Sequence, residues 1–202
     1  MVKRGFPRQI WAALVLAAAC MGATAPDAKA DDLDARLAAS RETAGKLTQQ
    51  LGGELRKELA AGGPESAIKV CKTIAPEIAS KLSRENGARV ARVSLRVRNP
   101  LLGTPDAWEQ RVLAEFDRRV AAGEKPEALE FGEIAGEPDG RYWRYLKAIP
   151  VQPMCLTCHG GAESIPAPVK AQLNAEYPHD RATGYSAGQI RGAVTIKQRI
   201  GD

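Results

Sequence analysis

Leucine recurs at every fourth position at Leu47, Leu51, Leu55 and Leu59, which lines one face of a helix. The spacing predicts a long helix over residues 32–61, weakened at Gly52 and Gly53 and ended by Gly62-Gly63-Pro64. A second helical stretch, from Glu65 to about Arg84, carries Ile68, Cys71, Ile74 and Ala75 at helical spacing. Pro76 must kink or break it, because proline lacks an amide hydrogen and clashes with the preceding turn. The period then changes. Residues 88–95 (ARVARVSL) alternate valine with arginine or serine, as a half-buried strand does. Arg98-Asn99-Pro100 reads as a turn, and Thr104-Pro105-Asp106 as a capping segment before a helix over 107–122. Strands are expected at 128–135 and 141–149, joined by the turn Glu137-Pro138-Asp139-Gly140. A short helix over 167–176 and a closing strand over 192–199 follow. Helices first and strands later predict an α+β domain with an antiparallel sheet.

The first thirty residues do not belong to this pattern. Lys3, Arg4 and Arg8 precede an apolar run from Ile10 to Met21, and Ala28-Lys29-Ala30 offers a small-x-small cleavage site. These are the parts of a secretory signal peptide, and the run is short for a membrane span. Residues 31–202 are then one exported domain, expected in the periplasm. A competing reading makes Cys20 a lipidated cysteine. Removing residues 1–30 takes Lys3, Arg4, Arg8 and Lys29 away against Asp27, so the formal net charge of +5 falls to +2. Most of the basicity therefore belongs to the targeting segment, and nothing here argues for nucleic acid.

The candidate chemistry lies in residues 154–160, MCLTCHG. The chain has 4 cysteines and 2 histidines, and Cys155, Cys158 and His159 are three of those residues. Two thiols three apart can add to the two vinyl groups of one haem, and the histidine after them can ligate the iron. A zinc site would need Cys155, Cys158, Cys71 and His179 together, and the usual second paired cluster is absent. A thiol-exchange pair should open a helix after a strand, whereas Gly160 and Gly161 lead into a loop. A plain disulfide ignores His159 and leaves an odd thiol, since Cys71, Cys155 and Cys158 remain once Cys20 is removed. The other face of the iron stays open on these grounds. Met1 and Met21 leave with the signal peptide, and Met154 adjoins Cys155 on a short tether. That leaves His179, Cys71, a lysine, water or nothing. Lys69 and Lys72 beside Cys71 would favour its thiolate. Arg96, Arg98 and Arg144 are candidate partners for haem propionates. Trp108, Trp143, Tyr142 and Tyr145 read as core or pocket wall.

Five stretches in this order resemble a family of periplasmic haem c-binding domains of unknown function: AIKVCKTIAPEI (67–78), SLRVRNP (94–100), PDAWEQRVLAEF (105–116), PMCLTCHG (153–160) and GYSAGQIRGA (184–193). The resemblance runs from about Leu33 to Lys197. It implies a PAS-like fold, found alone or as the sensing part of membrane histidine kinases. It also implies one covalent haem c on Cys155 and Cys158, with His159 and Cys71 as axial ligands. A thiolate–imidazole haem closed on both faces is expected to be no enzyme. It would be a redox or diatomic-gas sensor module, working through a separate signalling partner. The alternative is a periplasmic electron-transfer cytochrome.

Overall fold

The computed structural model describes residues 28–201. Most of the expected signal peptide, with Cys20, lies outside the described residues. Helix α1 (Ala28–Lys69) is longer than the expected 32–61. Gly63 leaves helical geometry at φ 72°, ψ −172°, as only glycine does cheaply, and the helix resumes at Pro64. Gly-Gly-Pro thus separates two helical segments within the α1 range, as the sequence predicts. Residues Val70–Ile74 form a π-helical turn, in which the Ala75 amide reaches back to the Val70 carbonyl. The wider turn makes room for the ring of Pro76, which sits in the first turn of α2 (Ala75–Asn86). Gly87 ends α2 in the left-handed region at φ 56°.

Strands β1 (Arg89–Val93), β2 (Glu130–Glu137), β3 (Gly140–Pro150) and β4 (Ile190–Ile200) form one antiparallel sheet in the order β1-β4-β3-β2. The expected hairpin is β2–β3. The Asn99-Pro100 turn is in fact a one-turn helix, α3 (Pro100–Gly103), capped by the Asn99 side chain. Helix α4 (Ala107–Ala121) opens with a capping box in which Asp106 and Glu109 serve each other's backbone amides. The chain then runs through α5 (Leu156–His159) and α6 (Ala167–Glu176). Among the described residues no helix is long and apolar enough to cross a membrane.

Period-two alternation gives the sheet two apolar faces. Val93, Leu146, Ala148 and Ala193 pack on Trp108, Val112, Leu113 and Phe116 of α4. Val90, Trp143, Tyr145, Val194 and Ile196 pack on Ala44 and Leu47 of α1 and Leu82 of α2. Each fully buried large side chain contributes about 1.5–3 kcal/mol by leaving water. Of the leucine stripe only Leu47 is fully buried, with Leu51 packed at the margin. Trp143 donates to Ser40, Tyr145 to Glu130 and Trp108 to Glu133, so three of the expected aromatic side chains are in the core with their polar ends satisfied, whereas Tyr142 is half-exposed at the hairpin and donates to Asp139.

Arg144 is not free to meet a haem. It is 2% exposed on the α4 face and pairs with Asp106 at 2.6 Å and Glu137 at 2.5 Å, with the buried Glu109 at 3.6 Å. Glu109 in turn accepts from Thr195 and Arg89. Removing one partner from such a buried network leaves the others uncompensated. Arg144→Ala should therefore lower unfolding free energy by about 3–5 kcal/mol, read from urea midpoints.

The same cluster predicts acid lability. Against the cost of part burial, the Glu109 amide and then Arg144 hold the Asp106 carboxyl below its ordinary value. Glu137 is likewise held down, against its burial, by Lys197 and then Arg144. Depressed carboxylates stabilise the fold above their unfolded pKa, and that stability is lost as pH falls through the folded one. The thermal midpoint should fall as pH drops below about 4, and Glu137→Gln should flatten that slope.

Candidate cofactor site

The CLTCH residues lie at one end of the sheet, where β3 runs out at Pro150 and β4 begins at Ile190. Pro153–Cys155 make a 3₁₀ turn, and Leu156–His159 one turn of helix. The two thiols join different apolar clusters. Cys155 packs with Val151, Ala182 and Tyr185. Cys158 packs with Ile165, Val169, Leu173 and Tyr177, which recur every fourth residue along α6, and with Ile68 of α1. Burial pushes the Cys158 thiol above its ordinary pKa, opposed by Arg98 and reinforced by Cys71 and Cys155 nearby. Burial also pushes the Tyr177 phenol up to about 12, with Cys71 adding to the effect. Cys71 thus lies within electrostatic reach of Cys158 and Tyr177, on the half-buried side of the π-helical turn. None of the three cysteines is in a disulfide. Lys72, expected to favour the Cys71 thiolate, pairs instead with Glu176 of α6.

His159 is held by its backbone and its ring. Its carbonyl accepts from the Tyr185 amide at 2.9 Å, and Gly160 takes the Gly184 amide at 2.7 Å. Its Nδ1 lies 2.6 Å from the Ala182 carbonyl, which can only accept. The proton is therefore on Nδ1, and Nε2 carries the lone pair. Arg191 Nε donates to that nitrogen at 3.3 Å. Burial first, then Arg191 and Arg98, push the imidazole pKa well below its ordinary value. A neutral imidazole with a backbone-bound Nδ1 is the form that ligates a metal through Nε2.

Arg98 is the tie that holds this end together. It pairs with Asp180 at 2.9 Å, both side chains being buried, and its Nη2 donates to the Cys158 carbonyl at 2.5 Å. Asp180 also accepts from the Ala182 amide at 2.7 Å. Arg98 is thus already neutralised and not the free cation the sequence suggests. Arg96 lies over the Tyr185 ring at 3.6 Å and donates to the carbonyls of Thr183 and Gly184. It lines a cavity of about 280 Å³ with Ser94, Asp117, Tyr185 and Ile190. His179 is exposed in the loop after α6. Among the described residues no three His, Cys, Asp or Glu side chains converge on one metal position, so the zinc set of Cys71, Cys155, Cys158 and His179 is not assembled.

Sequence reasoning missed Arg191. In the β3–β4 register Ile149 faces Gly192 and Pro150 faces Ile190, so Arg191 is bulged out of the ladder. A bulge re-aims a side chain, and here it turns Arg191 onto His159. Gly192 permits the close crossing of β1 and β4: a Cβ there would sit 2.3 Å from the Val93 carbonyl oxygen. The glycine next to Arg191 was the available signal.

The model of the Tll0287-like family (Tll0287) matches residues 23–199. The chain belongs to the Tll0287-like family. A solved structure, "Crystal structure of the cyanobacterial heme-protein Tll0287", is 26% identical with a TM-score of 0.59, covering 85% of this chain and 97% of that one. A search of curated proteins found no match. The shared architecture is α+β, a long N-terminal helix with a four-stranded antiparallel sheet.

The residues present fit a haem. The site offers two thiols three residues apart, a neutral imidazole with its lone pair on Nε2, and a third thiol from the π-helical turn after α1. It also offers Arg191, a guanidinium that makes no ion pair among the described residues. Gly192→Ala should destabilise the fold by on the order of 1–3 kcal/mol, because the β1–β4 crossing must open. A thermal midpoint equal to that of the unchanged chain would show that the crossing is not tight.

Proposed function

We propose that this chain is an exported c-type haem protein acting as a redox or diatomic-gas sensor module. The observation that carries it is His159, next to the cysteine pair and fixed by Ala182 with Nε2 as its acceptor nitrogen. Membership of the Tll0287-like family supports it, as does similarity to a solved haem protein of that family. Cys155 and Cys158 would hold one haem c by thioether bonds, His159 would be one axial ligand and Cys71 the other. The sheet with its flanking helices is read as a PAS-like variant, and the location as periplasmic.

Bound haem would supply a one-electron iron couple whose potential a thiolate ligand lowers. The chain's own residues do the rest. Ala182 orients the imidazole, and the α6 stripe with Ile68 excludes water from the Cys158 side. The Arg98–Asp180 pair fixes the backbone that carries the ligands. With both axial positions filled there is no open coordination site for a substrate, so the module is read as a binding and redox device and not an enzyme. Its output would pass to a separate partner.

Maturation with the periplasmic attachment machinery should give a coloured chain carrying one haem, counted as the pyridine haemochrome. Cys155→Ala with Cys158→Ala should lose the covalent attachment. Cys71→Ser should keep the attached haem but shift the ferric spectrum away from thiolate ligation. A sensor should change ligation between oxidation states, and the ferrous chain should take carbon monoxide. Unchanged ligation in both states would instead favour the electron carrier. A colourless product, or one containing zinc, would sink the haem reading.

A further inference from the structure

Three arginines crowd His159 and one carboxylate serves them. Arg191 Nε donates to His159 Nε2, Arg98 binds the carbonyl of the adjacent Cys158, and Arg92 stands on β1 opposite Val194, two residues before the Ser94 hydroxyl that accepts from Arg191. Asp180 is fully engaged, taking Arg98 on one oxygen and the Ala182 amide on the other. Arg191 finds only neutral acceptors: His159 Nε2, Ser94 Oγ at 3.0 Å and the Arg96 carbonyl at 3.3 Å. Arg92 makes no side-chain hydrogen bond or ion pair among the described residues. It alternates with Val93 along β1, so it shares the sheet face of Val90, the face that α1 and α2 cover.

Crowded, half-buried guanidiniums without counter-ions are unfavourable, since each gives up hydration and repels the others. Three cations against one anion leave two positive charges over. A haem carries two propionates. Iron would also compete with Arg191 for the one lone pair of His159, releasing that guanidinium to a new acceptor. A guanidinium meets a carboxylate best, with two parallel hydrogen bonds.

We propose that Arg191 and Arg92 are the propionate anchors of this site, in place of Arg96, Arg98 and Arg144. The assignment rests on the haem reading above and specifies which charges orient the ring. Arg98 is the structural tie, and Arg96 is held over the Tyr185 ring by the Thr183 and Gly184 carbonyls.

The test uses the full chain produced without the attachment machinery, with iron protoporphyrin IX and its dimethyl ester as probes. Comparing two porphyrins cancels any effect of a variant on axial ligation. Each charge-assisted pair is expected to favour the diacid by about tenfold. The unchanged chain should then prefer the diacid on the order of 100-fold. Arg92→Gln and Arg191→Gln should each reduce the preference about tenfold. Arg191→Lys should restore part of it, and Arg111→Gln, on the outer face of α4, should leave it unchanged. An equal preference in the unchanged chain and both glutamine variants overturns the assignment. Arg191→Gln could disturb the fold through Ser94. Arg92→Gln removes no structural contact, so its ratio decides in that case. If neither porphyrin binds the unchanged chain and matured material is also colourless, the haem reading itself fails. If matured material is coloured and only the ratio is flat, the anchors alone fail.

Discussion

The buried pair of Arg98 and Asp180 is the constraint on which this end of the molecule depends. Two charges out of water stabilise little by themselves, because desolvation offsets most of their attraction. Their value lies in what they fix. Arg98 comes from the loop after β1 and Asp180 from the loop after α6, and between them they bind the Cys158 carbonyl and the Ala182 amide. Three segments far apart in sequence are held in one register. The Arg181 amide on the Val97 carbonyl and the Tyr185 amide on the His159 carbonyl continue that register as a short backbone ladder. Loosening the ion pair would release Ala182, and with it the atom that decides which imidazole nitrogen carries the proton.

The sheet contributes by ending where it does. β3 hands the chain to the CLTCH turn, β1 hands it to Arg98, and β4 starts with a bulge that turns Arg191 inward. Each of these departures is local, but all three occur at the same edge. Away from that edge the sheet is an ordinary two-faced layer between α4 and the α1–α2 pair. The polar cluster of Arg144, Glu109 and Thr195 belongs to that layer and is remote from the CLTCH residues in role. Buried arginine alone is therefore a poor marker of a ligand site. Arg144 has three carboxylates and Arg191 has none.

Much of this was legible in the sequence, because hydrophobic period and turn chemistry are local signals. The alternation of β1, the β2–β3 hairpin and the 167–176 helix lie where the sequence places them. Glycine and proline interrupt the helices where the sequence expects it. Gly63 separates the two helical segments of α1, and Pro76 opens α2 after a π-helical turn that no single-residue preference announces. Among the site residues, the CxxCH set could be named from spacing alone. The arginines could not be ranked that way. Whether a guanidinium is free depends on which carboxylate reaches it, and Arg98 is matched by a residue 82 positions away. A one-residue bulge, which decides where Arg191 points, leaves no pattern beyond a neighbouring glycine.

The two candidate axial ligands are held very differently, and this bears on what a haem here could do. His159 is fixed by ring, carbonyl and a buried ion pair behind it. Cys71 sits in a π-helical turn between a helix kink at Gly63 and Pro76. A π turn is a single wide turn inside a helix, with a hydrogen-bond pattern unlike that of its neighbours on either side. Strain from any change at the iron would therefore pass to the cysteine side, while the imidazole side stayed in place. In a sensor that asymmetry gives the change a direction. Movement of Cys71 pulls on α1, which packs against α2, α6 and the sheet, whereas movement of His159 would have to break the chain's own ion pair first.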